Sequence, residues 1–127
     1  MYAGRLAEEG ESAQVFSDPA HPYTRELLRS IISLSTTGLH YIPGAPPNLI
    51  DPPPACRFHP RCPKAMRVCA AKDPIEVEVG SGSSRPADLG KSSGHRTSCW
   101  LHGPEALIPP GGTAPLERGK IAIAEEA

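Results

Sequence analysis

Aliphatic bulk is scarce in this chain. Leu, Ile, Val and Phe together supply 24 of its 127 residues, and there is one tryptophan. A core that thin needs a disulfide, a metal or a partner surface to hold a fold. Long apolar runs are missing too, and none approaches the ~20 residues of a membrane helix, so direct insertion into a bilayer is not expected. Charge of one sign is also missing. Basic and acidic residues number 13 and 14 and lie interspersed, for a net charge of −1, which excludes an electrostatic nucleic-acid binder. The opening MYAGRLAEEG carries Arg5, Glu8 and Glu9 without an apolar stretch, so it does not read as a secretory signal. There is no H-E-x-x-H and no G-x-S-x-G, and the acid pairs Glu8–Glu9 and Glu125–Glu126 read as solvated surface charge.

What is abundant is punctuation. With 16 prolines and 12 glycines, much of the backbone must be turn or irregular coil. The expected fold is a small, irregular α+β arrangement: an N-terminal strand pair, one or two short helices, a proline-rich strap and a cysteine-rich loop domain. Residues 1–10 read as two short extended pieces around Ala3-Gly4-Arg5. Residues 12–17 form a helical turn ending before Asp18-Pro19. A second helix begins with His21 at the cap and Pro22 at the first helical position, where its missing N–H costs nothing. Tyr23, Leu27, Ile31 and Leu34 recur on one face of it. Arg25, Glu26 and Arg29 fall on the other, with Glu26 and Arg29 spaced as an i,i+3 ion pair. The helix should end between Ser33 and Gly38.

From Ile42 to Pro54 run six prolines, which forbid helix or central strand and leave an extended connector. It reads either as a plain linker or as a strap anchored by Ile42, Leu49 and Ile50. IEVEV, residues 75–79, alternates as a half-buried strand. Residues 80–93 form a Gly/Ser loop, and the tail beyond Gly103 lacks a sustained period and reads as mobile.

The strongest chemical signal is Cys56, Cys62, Cys69 and Cys99, spaced C-x5-C-x6-C-x29-C. In a cytosolic chain such a set favours metal ligation or free thiols over disulfides. Zinc sites use tighter C-x2-4-C pairs; wider gaps suit a larger object, and four thiolates are the normal way to hold a four-iron cluster. Zinc, disulfides and unligated thiols stay open on spacing alone. His59 and His95 read as outer partners of the thiols rather than ligands, and Arg57 and Arg61 as counter-charges to a cluster or as ordinary loop charges. Gly90-Lys91-Ser92 resembles the end of a Walker A loop, but Arg85 stands where its first glycine belongs. No ATP site is expected.

Several pieces together resemble one family, the C-terminal region of ATP-binding subunits of oligopeptide/dipeptide ABC importers. They are His21-Pro22-Tyr23-Thr24-Arg25 with Leu27-Leu28, Ile42-Pro43-Gly44, Pro46-Pro47, Cys56-Arg57-Phe58-His59-Pro60-Arg61-Cys62-Pro63, Cys69, and Gly94-His95 with Cys99-Trp100. The opening ten residues are similar to a strand pair at the edge of the ATPase core. The resemblance implies a four-part layout: 1–36, a core edge with the HPYTR helix; 37–54, a proline connector; 55–102, the four-cysteine extension; and 103–127, a tail. It further implies a peptide-import component peripheral to the cytoplasmic face of a membrane, partnered by an ABC ATPase core and the importer's membrane subunits. It implies a 4Fe-4S cluster on Cys56, Cys62, Cys69 and Cys99. Walker, signature and switch motifs are not in these residues, so the chain reads as a truncated ATP-binding subunit without ATPase activity of its own, its N-terminal strand partnered by a missing domain. A free-standing iron–sulfur protein and a zinc-stapled binding module are the competing readings.

Overall fold

A computed structural model describes residues 1–33, 35, 37–79 and 94–116. Leu34, the Gly/Ser stretch 80–93 with Arg85 and Lys91, and residues 117–127 lie outside the described residues. The chain opens with a tight hairpin. Tyr2 and Arg5 exchange backbone hydrogen bonds of 2.8 and 3.0 Å, closed by Ala3 and Gly4 at φ 47° and 79°. Two successive positive φ values make a turn whose twist matches the flanking strands. Strand β1 (Glu8–Glu9) follows, then helices α1 (Ser12–Ser17) and α2 (Pro22–Arg29), helix α3 (Arg67–Ala71), and strands β2 (Glu76–Glu78) and β3 (Arg96–Ser98). A single 3₁₀ turn covers Glu105–Leu107.

The sheet is antiparallel in the order β1-β3-β2. Thr97 lies opposite both Glu8 and Val77, and Arg96 opposite both Glu9 and Glu78. Strand alternation puts successive side chains on opposite faces, and the result is plain. Val77 and Thr97 are 0% and 1% exposed, while Arg96 turns outward to pair with Glu9 at 2.9 Å and Glu76 at 2.8 Å. The Thr97 hydroxyl donates to the Ala7 carbonyl at 3.0 Å. The partner of the N-terminal strand, expected in a missing domain, is therefore inside the chain. The N-terminal "pair" is one hairpin turn and one strand stitched to β3.

α1 buries nothing and leaves Phe16 exposed. It stops at Asp18, held out of the helical region by the proline that follows. α2 starts as its sequence demands. Pro22 takes the first position, and Nδ1 of His21 accepts from the Tyr23 N–H at 3.0 Å. It ends earlier than expected, at Arg29 with Ser30 as cap, so Ile31 follows the helix rather than lying in it. Glu26, assigned to the outer face, is buried. His40 meets one of its oxygens at 2.8 Å and Arg29 the other at 3.2 Å.

Two small cores hold the rest. Tyr2, Phe58 and Cys62 form one, with Tyr23 and Ile42 packed against it. Val68, Cys69 and Trp100 form the other, with Met66 and Ile108. Cys56 touches both. Of the three strap anchors only Ile42 is packed; Leu49 and Ile50 are 73% and 97% exposed. Arg61 holds that end by donating to the carbonyls of Ile42 at 2.9 Å and Pro43 at 3.1 Å. The segment after Gly103, expected to be mobile, packs back onto α3 as far as Leu116. Arg67 and Val68 donate to the carbonyls of Ala114 and Gly112 at 3.0 Å each, and Leu116 donates to Ala65 at 2.9 Å. The first amides of a helix have no partner within it, and this returning segment supplies one for each of the first two.

Candidate functional site

The four cysteines reach the same region from three different supports. Cys56 and Cys62 bracket a run of turns in which His59 N–H donates to the Cys56 carbonyl and Cys62 N–H to the His59 carbonyl. Cys69 sits in α3, and Cys99 follows β3 directly. The Cys56 N–H donates to the Cys69 carbonyl at 3.0 Å, tying the turns to the helix. Trp100 fixes the other junction, its indole N–H donating to the Lys72 carbonyl at 2.9 Å.

None of the four is in a disulfide. Cys62, Cys69 and Cys99 are buried and Cys56 half-buried. Burial pushes the Cys56 thiol up to about 11, with amide donors from Phe58 and His59 opposing and the charges of Cys69 and Cys62 adding to the rise. Burial likewise lifts Cys99 to about 12, opposed by the Leu101 amide and reinforced by Cys56, Cys62 and Cys69. Cys69 is raised by burial as well, against the Met66 amide. The sulfurs are thus close enough to sense one another's charge, and backbone N–H groups point at three of them. Among the described residues, however, no three His, Cys, Asp or Glu side chains are grouped to hold a single metal ion. In donor chemistry the four side chains could supply thiolates, which the neighbouring amides would stabilise.

The neighbours expected to serve the thiols are used differently. His59 donates from Nδ1 to the Cys56 carbonyl at 2.7 Å, which fixes the turn. His95 meets Glu8 at 2.6 Å instead of a cysteine. Arg57 donates to the Ala3 carbonyl, and Arg61 holds the strap.

Glu8 is the residue that sequence reasoning missed. Taken for a solvated charge, its side chain is 2% exposed. Its carboxylate accepts from the amides of Ala20 at 2.8 Å and His21 at 3.0 Å, besides His95. Burial would raise its pKa, but hydrogen bonds from Ala20, Thr24, His95 and His21 outweigh that and hold it below the usual carboxylate value. The register places Glu8 opposite Thr97, on the buried face of the sheet, and no local sequence signal announced that pairing. Glu8 docks the start of α2 onto the sheet. The aromatic ring of Phe58 receives the other side of the same turn, with His21, Tyr23 and Tyr2 centroids at 5.9, 5.4 and 5.0 Å. The His-Pro-Tyr box and the Cys-Arg-Phe-His-Pro box are therefore two halves of one contact.

That contact lies within a recognised sequence family. Residues 7–69 match the family described as "Oligopeptide/dipeptide transporter, C-terminal region", and the chain belongs to it. Similar proteins include the "Dipeptide transport ATP-binding protein DppD" of Caldanaerobacter subterraneus, 45% identical over 62% of this chain and 25% of the relative. The protein of the same name from Bacillus subtilis is 40% identical over 80% of this chain and 27% of the relative. The "Oligopeptide transport ATP-binding protein OppD" of Escherichia coli is 46% identical over 60% and 23%. The chain spans about a quarter of the length of these relatives. No helix among the described residues is long and apolar enough to cross a membrane.

Proposed function

We propose that this chain serves as the C-terminal extension of a peptide importer's ATP-binding protein, docking on the ATPase core at the cytoplasmic face of the membrane and acting as an interaction and regulatory module. The membrane subunits of the importer are its more distant partners. The observation that carries this reading is the exposed apolar residues in α2 and just beyond its end. One side of the helix start is locked by Glu8, Phe58 and Tyr2, whereas Leu27, Ile31 and Ile32 are left 47%, 58% and 70% exposed. Each fully buried Leu or Ile stabilises by about 1.5–3 kcal/mol, so three such side chains left facing water call for a covering surface. The names of its relatives support an ATP-binding subunit as the source of that surface. The test is hydrogen exchange on the full chain with and without the ATPase core of a dipeptide importer. Exchange in residues 22–32 should slow on mixing, and Leu27→Asp should prevent the slowing. Unchanged exchange with the native chain would refute the docking.

The same proposal assigns Cys56, Cys62, Cys69 and Cys99 to a 4Fe-4S cluster. Support comes from four thiols sharing one buried neighbourhood, near enough for Cys99 to feel the charge of the other three. When bound, such a group cross-links its four thiolates and offers a redox-capable centre. The chain's own contribution is to hold the thiols in place through the Cys56–Cys69 backbone bond and to aim amides at the sulfurs. Because ligation takes thiolates from groups raised to about 11 and 12, loading releases protons and is favoured by alkaline pH. A zinc-stapled module on the same cysteines is the alternative, and metal analysis separates the two.

A further inference from the structure

A cavity of about 250 Å³ opens between the N-terminal hairpin and the cysteine turns. Tyr2, Leu6, Phe58 and Pro74 form its apolar wall, and two guanidinium groups, Arg5 and Arg57, stand at it. No acid is among the lining residues. His21, the remaining basic group on the wall, is neutral near pH 7, its pKa lowered by burial to about 4. The two arginines are not equivalent. Arg5 pairs with Asp73, which lies outside the lining. Arg57 donates through Nη1 to the Ala3 carbonyl, and among the described residues it is in no ion pair.

We propose that this cavity binds a small carboxylate with an apolar body. A planar guanidinium fork matches a carboxylate bidentately, and the aromatic and aliphatic wall suits the body behind it. The volume lies below the roughly 300–1,000 Å³ of drug-sized ligands, so the occupant is small. A zwitterionic peptide is disfavoured, because its ammonium group would meet two arginines and no carboxylate. Inorganic phosphate is disfavoured for the opposite reason, having no apolar body to cover the wall. The inference does not rest on the assignment of the cysteines, and the full chain is titrated as purified.

The experiment is calorimetric titration of the full chain with benzoate, inorganic phosphate and leucyl-leucine. Benzoate should bind saturably at one site, more tightly than the other two. Arg57→Gln should weaken it by about tenfold, the scale of a lost charge-assisted hydrogen bond. Arg57→Lys, which keeps the charge but loses the fork, should also weaken it. Asp73→Asn frees Arg5 from its pairing and should tighten binding by about threefold, the scale of an exposed ion pair. That gain separates the site from general destabilisation, since a loosened fold loses affinity. Lack of saturable benzoate binding, equal binding of phosphate or dipeptide, or no response to Asp73→Asn would each overturn the proposal.

Discussion

His21 makes the contact between the two sequence boxes dependent on pH. Its ring is 3% exposed, and Nδ1 accepts the Tyr23 amide at the start of α2. Protonating that nitrogen removes the cap acceptor and places a charge in the core. Burial accordingly lowers the pKa from 6.5 to about 4, with the charge of Glu8 opposing and His102 adding to the fall. A folded-state value below the unfolded one means that the unfolded chain binds the proton more tightly. The stabilisation is therefore complete above about pH 6.5 and is lost as pH falls toward 4. Linkage over that interval makes the fold about 2 kcal/mol less stable at pH 5 than at pH 7.5. Glu8, also lowered, acts in the same direction but only below its ordinary value of 4.5, so the two windows separate. The assay is urea unfolding followed by Trp100 fluorescence at pH 7.5 and 5. His21→Asn retains a capping side chain and does not titrate, while His95 and His102 remain in both proteins. The variant should lose about 2 kcal/mol less than the native chain across this interval. Equal losses in the two proteins would refute the reasoning.

Other expectations follow from the same contacts. Glu8→Gln turns an oxygen that accepts buried donors into a donor, and should destabilise by about 2–4 kcal/mol, read from the urea midpoint. Val77→Ala removes two methyl groups from a fully buried position and should lower stability by about 2–3 kcal/mol, whereas Ile50→Ala, 97% exposed, should change it by less than about 0.5 kcal/mol. Stopping the chain after Gly103 strips Arg67 and Val68 of their carbonyl partners, so those two amides should exchange faster than in the full chain.

Local signals carried the starts of α1 and α2, but not the early end of α2 nor α3, which lies in the stretch read as a cysteine-rich loop. The cap and proline at His21-Pro22, the turn before Pro19 and the alternation of IEVEV each depend on residues a few positions apart, and each stands where the pattern placed it. What was illegible is long-range. β3 has only three residues, Arg96–Ser98, too few for a period to register, yet it joins β1 to β2 and so sets the burial of Glu8. The acid pair looked solvated because only Glu9 is; adjacent strand residues face opposite ways. The docking of residues 104–116 on α3 is made by backbone carbonyls, which every sequence possesses and none advertises. At the candidate site, Cys56, Cys62, Cys69 and Cys99 could be picked out by spacing, and the structure brings them near one another. The outer roles given to His95 and Arg61 were not, because their partners are Glu8 and the strap carbonyls, 87 and 18–19 positions away.

The most direct test of the thiol assignment is metal analysis of the full chain purified without oxygen, set beside the four single Cys→Ser variants. The native chain should carry about four irons, and each of Cys56→Ser, Cys62→Ser, Cys69→Ser and Cys99→Ser should lose most of them. One zinc per chain with no iron, or iron retained undiminished in the four variants, would contradict the account.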